Sequence, residues 1–246
     1  MSTRSDLSQA VRALFDEKAT RWSRGYAPGG ALATRASAFA DAVAAMVAAP
    51  ARALDFGCGT GHIGEALAAR GYTVHGCDLS EAMIDEGRRL FGARVTFTLL
   101  KPDWVALPYA TGQFDVALAS SVLEYVTNPD HVLAELARVV RPGGVAALTV
   151  PDMRYPRRWL EQALTLLLSV PGVSALAALH PRIALFARFL RTSRNRFSTG
   201  VWTDYFHRAG FEVSRTASTA MLRLYVLTRR PHQAIDVDSD PSSGQE

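Results

Sequence analysis

The chain has 246 residues, 48% of them hydrophobic and 20% charged, with a formal net charge of +4. That is enough to bury a full core in one domain carrying an elaboration. The excess charge is almost all arginine, since Lys18 and Lys101 are the only lysines; no RNP-type aromatic motif, zinc finger or evident helix-turn-helix accompanies it, so nucleic acid is not an expected partner.

In chain order, Leu7, Val11, Leu14 and Phe15 recur at helical spacing and predict a helix over 6–19, followed by Trp22, Tyr26 and the breaker Pro28-Gly29-Gly30. A second helix is predicted over 31–48. Strands then fall at 52–56, 73–77, 94–98, 114–120 and 144–150, with helices at 61–70, 80–90 and 129–140. This alternation means a parallel sheet with helices on both faces. A helix over 203–209, a strand entered through Gly210-Phe211-Glu212-Val213 and a strand over 222–228 complete the core. Polar and aperiodic, the segment 231–246 reads as a solvated tail. Residues 1–10 lack the apolar stretch of a signal peptide, which favours the cytoplasm.

The chemistry concentrates at Leu54-Asp55-Phe56-Gly57-Cys58-Gly59-Thr60-Gly61, three glycines at alternate positions between a strand and a helix. Such a loop takes φ > 0 and brings backbone N–H groups against a ligand, beside the positive end of the helix that follows. The spacing G-x-G-x-G, with an acid two residues before the first glycine, differs from the G-x-G-x-x-G of dinucleotide sites. Seventeen residues beyond Gly61, Asp78 ends the second strand, where a carboxylate suits a ribose diol. Cys58 and Cys77 flank these positions as free thiols, and no C-x-x-C or Cys/His cluster points to a metal.

In Leu54 to Gly61, Cys77-Asp78-Leu79-Ser80, Phe114-Asp115-Val116 and Arg141-Pro142-Gly143-Gly144, the chain resembles the class I S-adenosylmethionine-dependent methyltransferases. The resemblance covers roughly 50–150, with a weaker echo to Arg230. It implies a Rossmann-like, doubly wound α/β fold with a seven-stranded, mostly parallel sheet, N-terminal lid helices and a helical insertion after the fifth strand. The corresponding divisions are a lid at 1–49, a cofactor core at 50–150, an insertion or substrate cap at 151–200, completion of the sheet at 201–230 and the tail. The implied cofactor is S-adenosyl-L-methionine, held by Trp22, Tyr26, Arg35, Asp55, Gly57, Cys58, Gly59, Gly61, Asp78, Leu79, Met83, Asp103, Trp104 and Ser120. Arg35 is a candidate partner for its methionine carboxylate. Asp103 and Trp104 match the family's adenine segment, although Trp104 replaces a small residue there and Lys101-Pro102 a glycine.

Ala119 to Val126 corresponds to the channel between the methyl group and the acceptor, and Tyr125 stands where many relatives carry histidine. An activated methyl donor needs alignment and exclusion of water more than a protein nucleophile. For an acceptor hydroxyl, candidate bases are His62, Glu124, Tyr125, His131 and His180. His207 reads as a helix-surface residue.

Residues 151–200 carry eight arginines against Asp152 and Glu161, a net charge of +6. Positions 163–180 are uncharged, but Pro171-Gly172 interrupts them, so two short helices fit better than one spanning helix. Three readings stand: a cap on the substrate pocket, a membrane-surface element, or an oligomer interface within a monomer-or-homodimer protein. The ubiquinone-biosynthesis O-methyltransferases are similar in architecture and place an apolar, basic insertion here. On that model Leu160, Leu164, Leu167 and Leu168 form an apolar stripe flanked by Arg154, Arg157 and Arg158, giving peripheral contact with the inner face of the membrane. The expected activity is methyl transfer to a small lipophilic or aromatic acceptor, at oxygen. N- or C-methylation, a nicotinamide-dependent oxidoreductase and a non-catalytic cofactor-binding protein are the alternatives.

Overall fold

The apolar residues of β1 (Arg52–Phe56) and β4 (Phe114–Ser120) alternate between two faces, and this alternation organises the molecule. Leu54, Ala117 and Ala119 pack to one side, against Leu133 and Leu136 of α5 (Pro129–Val139) and Trp202 and Phe206 of α8 (Thr199–Arg208). Ala53, Val116 and Leu118 pack to the other, against α2 (Arg35–Ala44), α3 (His62–Ala68) and α4 (Glu81–Phe91). Two buried layers on one sheet make the fold doubly wound. The computed structural model describes residues 4–168, 170, 172–173, 180–219 and 221–231; the predicted tail lies outside these beyond Pro231.

Seven strands form one sheet in the order β3-β2-β1-β4-β5-β7-β6, completed by β2 (Thr73–Asp78), β3 (Val95–Leu99), β5 (Val140–Pro151), β6 (Phe211–Thr219) and β7 (Leu222–Arg229). The first five run parallel, and β7 is antiparallel to both β5 and β6. The chain steps from β1 outward to β3, then returns to place β4 on the other side of β1. A crevice opens at that reversal, beyond the carboxyl ends of β1 and β4.

Most predicted elements are present, with shifted ends. The first helix, α1 (Arg4–Trp22), is longer than 6–19, and α2 is shorter than 31–48, because Ala33 and Arg35 donate to Gly30 and Leu32 and hold the preceding residues in turns. β5 starts before the predicted 144, since Val140 already pairs with Phe114; the extra residues up to Gly144 bulge out, with Gly143 at φ +73°. α8 starts at Thr199 rather than 203, capped by the Ser198 hydroxyl accepting from the Val201 N–H.

The insertion contributes α6 (Pro156–Leu167) and α7 (Pro181–Thr192), which pack on each other through Leu168, Ala187 and Leu190. The expected stripe is split: Leu164 and Leu168 join this small core, while Leu160 and Leu167 are exposed beside Trp159 and Leu166. Its expected polar flank is corrected as well. Arg158 is buried in an ion pair with Glu161 at 2.8 Å, whereas Arg154, paired with Asp152 at 2.7 Å, and Arg157 stay exposed. α7 also meets α1, where Arg188 pairs with Glu17 at 2.8 Å. Among the described residues no helix is long and apolar enough to cross a membrane.

Candidate active site

The loop leaving β1 turns on Gly57, Gly59 and Gly61, all at positive φ. At Gly57 (φ +68°) a Cβ would stand 2.4 Å from Val122 Cγ2, and at Gly61 (φ +80°) it would stand 2.6 Å from Phe97 Cζ. Only glycine satisfies both the backbone and the space. Gly57 and Cys58 donate to the Cys77 carbonyl, clamping the loop to β2, and Gly61 caps α3 in the left-handed conformation.

Asp78 completes the clamp. Its Oδ2 accepts the Gly59 N–H at 2.8 Å and its Oδ1 accepts the Ser80 N–H at 2.9 Å. Burial raises its carboxyl above the usual range, opposed by those N–H groups. Asp55 is more deeply enclosed, with Oδ2 accepting from Gly64 at 3.1 Å; burial pushes its carboxyl up to about 7. Ser80 caps α4 by accepting from Met83, and its hydroxyl donates to Asp16 Oδ1 at 2.6 Å, fastening α1 over the loop.

These elements enclose a cavity of about 550 Å³. The cofactor candidates Trp22, Tyr26, Arg35, Asp55, Gly57, Cys58, Gly59, Asp78, Leu79, Trp104 and Ser120 line it. Gly61, Met83 and Asp103 do not. Gly61 is turned into the start of α3. Met83 is fully buried behind the loop, its Sδ 3.9 Å from where a Gly59 Cβ would lie, so it supports the cradle. Asp103 sits in an exposed turn, closed by the Trp104 N–H on the Lys101 carbonyl, that directs Trp104 inward instead. Trp104 lies edge-on to Phe56, with ring centroids 5.7 Å apart.

Of the candidate bases, Glu124 and Tyr125 line the cavity and the three histidines do not. His62 stacks on Tyr26 at 4.4 Å, His131 packs against Trp104 at 5.2 Å, and exposed His180 precedes α7. Glu124 is buried and accepts from the Ser193 hydroxyl at 3.1 Å; burial raises its carboxyl, opposed chiefly by Arg158. Tyr125 meets Phe15 edge-on at 5.3 Å and Phe189 at 6.4 Å, so α1 and α7 close on the same ring.

Several wall residues lie in stretches the sequence assigns to the channel and the cap without singling them out. Ser121, held at φ +55° with its N–H on Thr149, accepts from Arg35 Nη1 at 3.3 Å. Arg158 and Glu161 of the insertion also line the cavity; their three-residue spacing on a helix is what could have paired them within the expected cap. Among the described residues, no cluster of three His, Cys, Asp or Glu side chains is arranged to hold a metal.

The glycine cradle, with its paired acids and guanidinium, is the site expected of a class I methyltransferase, and the comparisons agree. A family model described as a methyltransferase domain matches residues 54–148. The ubiquinone biosynthesis O-methyltransferase of Pseudomonas aeruginosa (strain LESB58) is 32% identical over 191 residues, covering 76% of this chain and 74% of that protein. The protein of the same description from Thiobacillus denitrificans is 35% identical over 134 residues, 53% of this chain and only 54% of that protein. In fold, the chain is similar to the magnesium protoporphyrin IX methyltransferase of Synechocystis with bound S-adenosylhomocysteine, at a TM-score of 0.65 and 21% identity, covering 89% of this chain and 98% of that one. The chain belongs to the family of class I S-adenosylmethionine-dependent small-molecule O-methyltransferases. Its cofactor is S-adenosylmethionine.

The residues present fit that cofactor. Ser120 Oγ is a buried cavity-wall atom without a hydrogen-bond partner among the described residues, and Gly57 and Gly59 of the loop line the same cavity.

Proposed function

We propose that the chain methylates oxygen on a lipophilic aromatic acceptor, drawn from a membrane surface into the cavity over the glycine loop. The observation that carries this reading is one cavity shared by the loop residues Gly57 and Gly59 and by the aromatic wall of Tyr125, Phe186 and Phe189.

Asp78 and the loop amides hold the ribose, Arg35 pairs with the methionine carboxylate, and Trp104 flanks the adenine. Bound there, the cofactor supplies a methyl group already activated on a sulfonium. The protein aligns the acceptor oxygen and keeps water out, using α1 above and the insertion at the side. Glu124 takes the hydroxyl proton, since burial raises its carboxyl above the usual range and the candidate histidines His62, His131 and His180 lie off the cavity wall. Residues 1–49 and 151–200 act as lid and cap over the 50–150 core, completed by 201–230.

Membrane contact is supported by the exposed Trp159, Leu160, Leu166 and Leu167 of α6 and Ile183 of α7, with Arg157 at the same helix. Cosedimentation with anionic liposomes at low salt is the expected outcome; a protein left wholly in the supernatant contradicts the docking.

The function is tested by incubating the chain with methyl-labelled S-adenosylmethionine and matched alkyl catechols and alkyl anilines. Label on the catechol oxygen is expected. Label on the anilines alone, or on neither set, contradicts O-methylation of this acceptor class.

A further inference from the structure

Beside the acceptor wall, a single carboxylate serves three guanidinium groups. Glu161 pairs with Arg158 at 2.8 Å, Arg157 at 3.7 Å and Arg196 at 3.9 Å. Arg158 and Arg196 are more than nine-tenths buried. Their valence is incompletely met: Arg158 Nε, and Arg196 Nε and Nη2, have no hydrogen-bond partner among the described residues. A buried guanidinium without matching negative charge is costly, and proteins rarely keep one that is not used. Glu124 lies close enough to feel both arginines, and even with it and Glu161 counted, three guanidiniums face two carboxylates.

The start of α6 adds to this excess. Its first turn carries Arg157 and Arg158, no acidic residue and no side-chain cap, so its positive end is unneutralised. Arg157, Arg158 and Glu161 all line the same cavity as Tyr125 and the glycine loop. The cofactor does not discharge the cluster, because its one carboxylate is assigned to Arg35.

We infer that the acceptor is an acid, an aromatic molecule whose carboxylate seats against Arg158 with Arg157 beside it. This rests on the methyltransferase reading of the cavity and adds a specificity that reading lacks. A planar carboxylate matches the guanidinium fork and supplies the negative charge the cluster is missing, which a neutral phenol of the same shape does not. Arg158 is then a specificity-determining residue. Its remaining bonds, to Glu161 and to the Met221 carbonyl at 3.2 Å, fix it in place between the insertion and the β6–β7 turn.

The test uses the full chain saturated with S-adenosylhomocysteine and a matched pair of probes, 4-octyloxybenzoate and 4-octyloxybenzamide, titrated by calorimetry. The benzoate is expected to bind about ten- to a hundredfold more tightly than the amide, as for a charge-assisted hydrogen bond gained. Arg158→Gln is expected to remove that preference while S-adenosylhomocysteine affinity stays the same. Should Arg158→Gln fail to fold, Arg157→Gln, on an exposed side chain, is expected to reduce the preference. Equal affinity for the two probes in the parent chain overturns the inference, as does a preference that survives in folded Arg158→Gln. Failure of S-adenosylhomocysteine to bind at all is a separate first titration, and it overturns the methyltransferase reading together with what rests on it.

Discussion

Asp78 Oδ2 accepts the N–H of Gly59 at 2.8 Å, so the acid that ends β2 is fastened to the loop that ends β1. Strand-end carboxylate and glycine cradle are therefore one unit, and the acid shapes the loop. Asp78→Ala is expected to weaken S-adenosylhomocysteine binding by about 1–3 kcal/mol, the cost of losing charge-assisted hydrogen bonds. Calorimetry on the folded variant checks this; unchanged affinity would remove Asp78 from the site.

Gly57→Ala tests the cradle by sterics alone. The added methyl meets Val122 Cγ2 at 2.4 Å on a backbone at φ +68°, so loop or neighbour must shift. Strain of about 1–3 kcal/mol is expected, read as a lower Tm together with weakened cofactor binding. Thermal unfolding with and without S-adenosylhomocysteine separates the two effects, and a variant matching the parent in both contradicts the tight-cradle account.

Asp55 gives a pH signature. Its carboxyl titrates at about 7 in the folded chain because burial outweighs the Gly64 N–H bond, whereas in the unfolded chain it titrates near about 4. Between those values the native state holds the extra proton, so this group's contribution to stability falls as pH rises. The loss is on the order of 4 kcal/mol by pH 8. Asp55→Asn removes it, so the stability of the variant relative to the parent is expected to rise from pH 4 to pH 7 and level off above. Urea unfolding at pH 5 and pH 8 measures the difference; a constant offset contradicts an Asp55 protonated near neutrality.

Glu124→Gln separates proton transfer from binding. With no histidine among the described residues lining the cavity, loss of this carboxylate is expected to lower kcat on a hydroxyl acceptor by about 10²–10⁴-fold, with cofactor affinity unchanged. Steady-state rates with a catechol acceptor test it. An unaltered kcat means that Glu124 takes no proton.

Both cysteines are expected to be inert. Burial raises the Cys58 and Cys77 thiols far from thiolate character. Slow labelling by a thiol reagent at pH 8 in the folded chain, and fast labelling of both in urea, is the expected pattern; rapid native labelling of Cys58 contradicts an enclosed loop.

What the sequence made legible was local. The strand-loop-helix at 52–68 and the acid at 78 carry their reasons in adjacent residues: apolar alternation, glycines where φ is positive, a carboxylate at a strand end. The crevice followed, because the order of elements forces a reversal beside β1. Asp103 lies off the cavity wall because a turn decides which of two neighbouring side chains faces inward, and Met83 because the difference between lining a cavity and backing it is a matter of packing. In the insertion, the sequence puts Arg158 in a polar flank, yet Arg158, Arg196 and Glu161 are buried together across more than thirty positions of chain. Composition shows no such long-range pairing. Phe15 was read as a helical position, and its contact with Tyr125 depends on how α1 lies over the site.

The most direct measurement is calorimetric titration of the purified chain with S-adenosylmethionine, S-adenosylhomocysteine and NADH in parallel. Saturable one-to-one binding of the first two, with no heat from NADH, is the result expected of the cradle between Gly59 and Asp78. Binding of NADH with both methionine-derived ligands silent would contradict it.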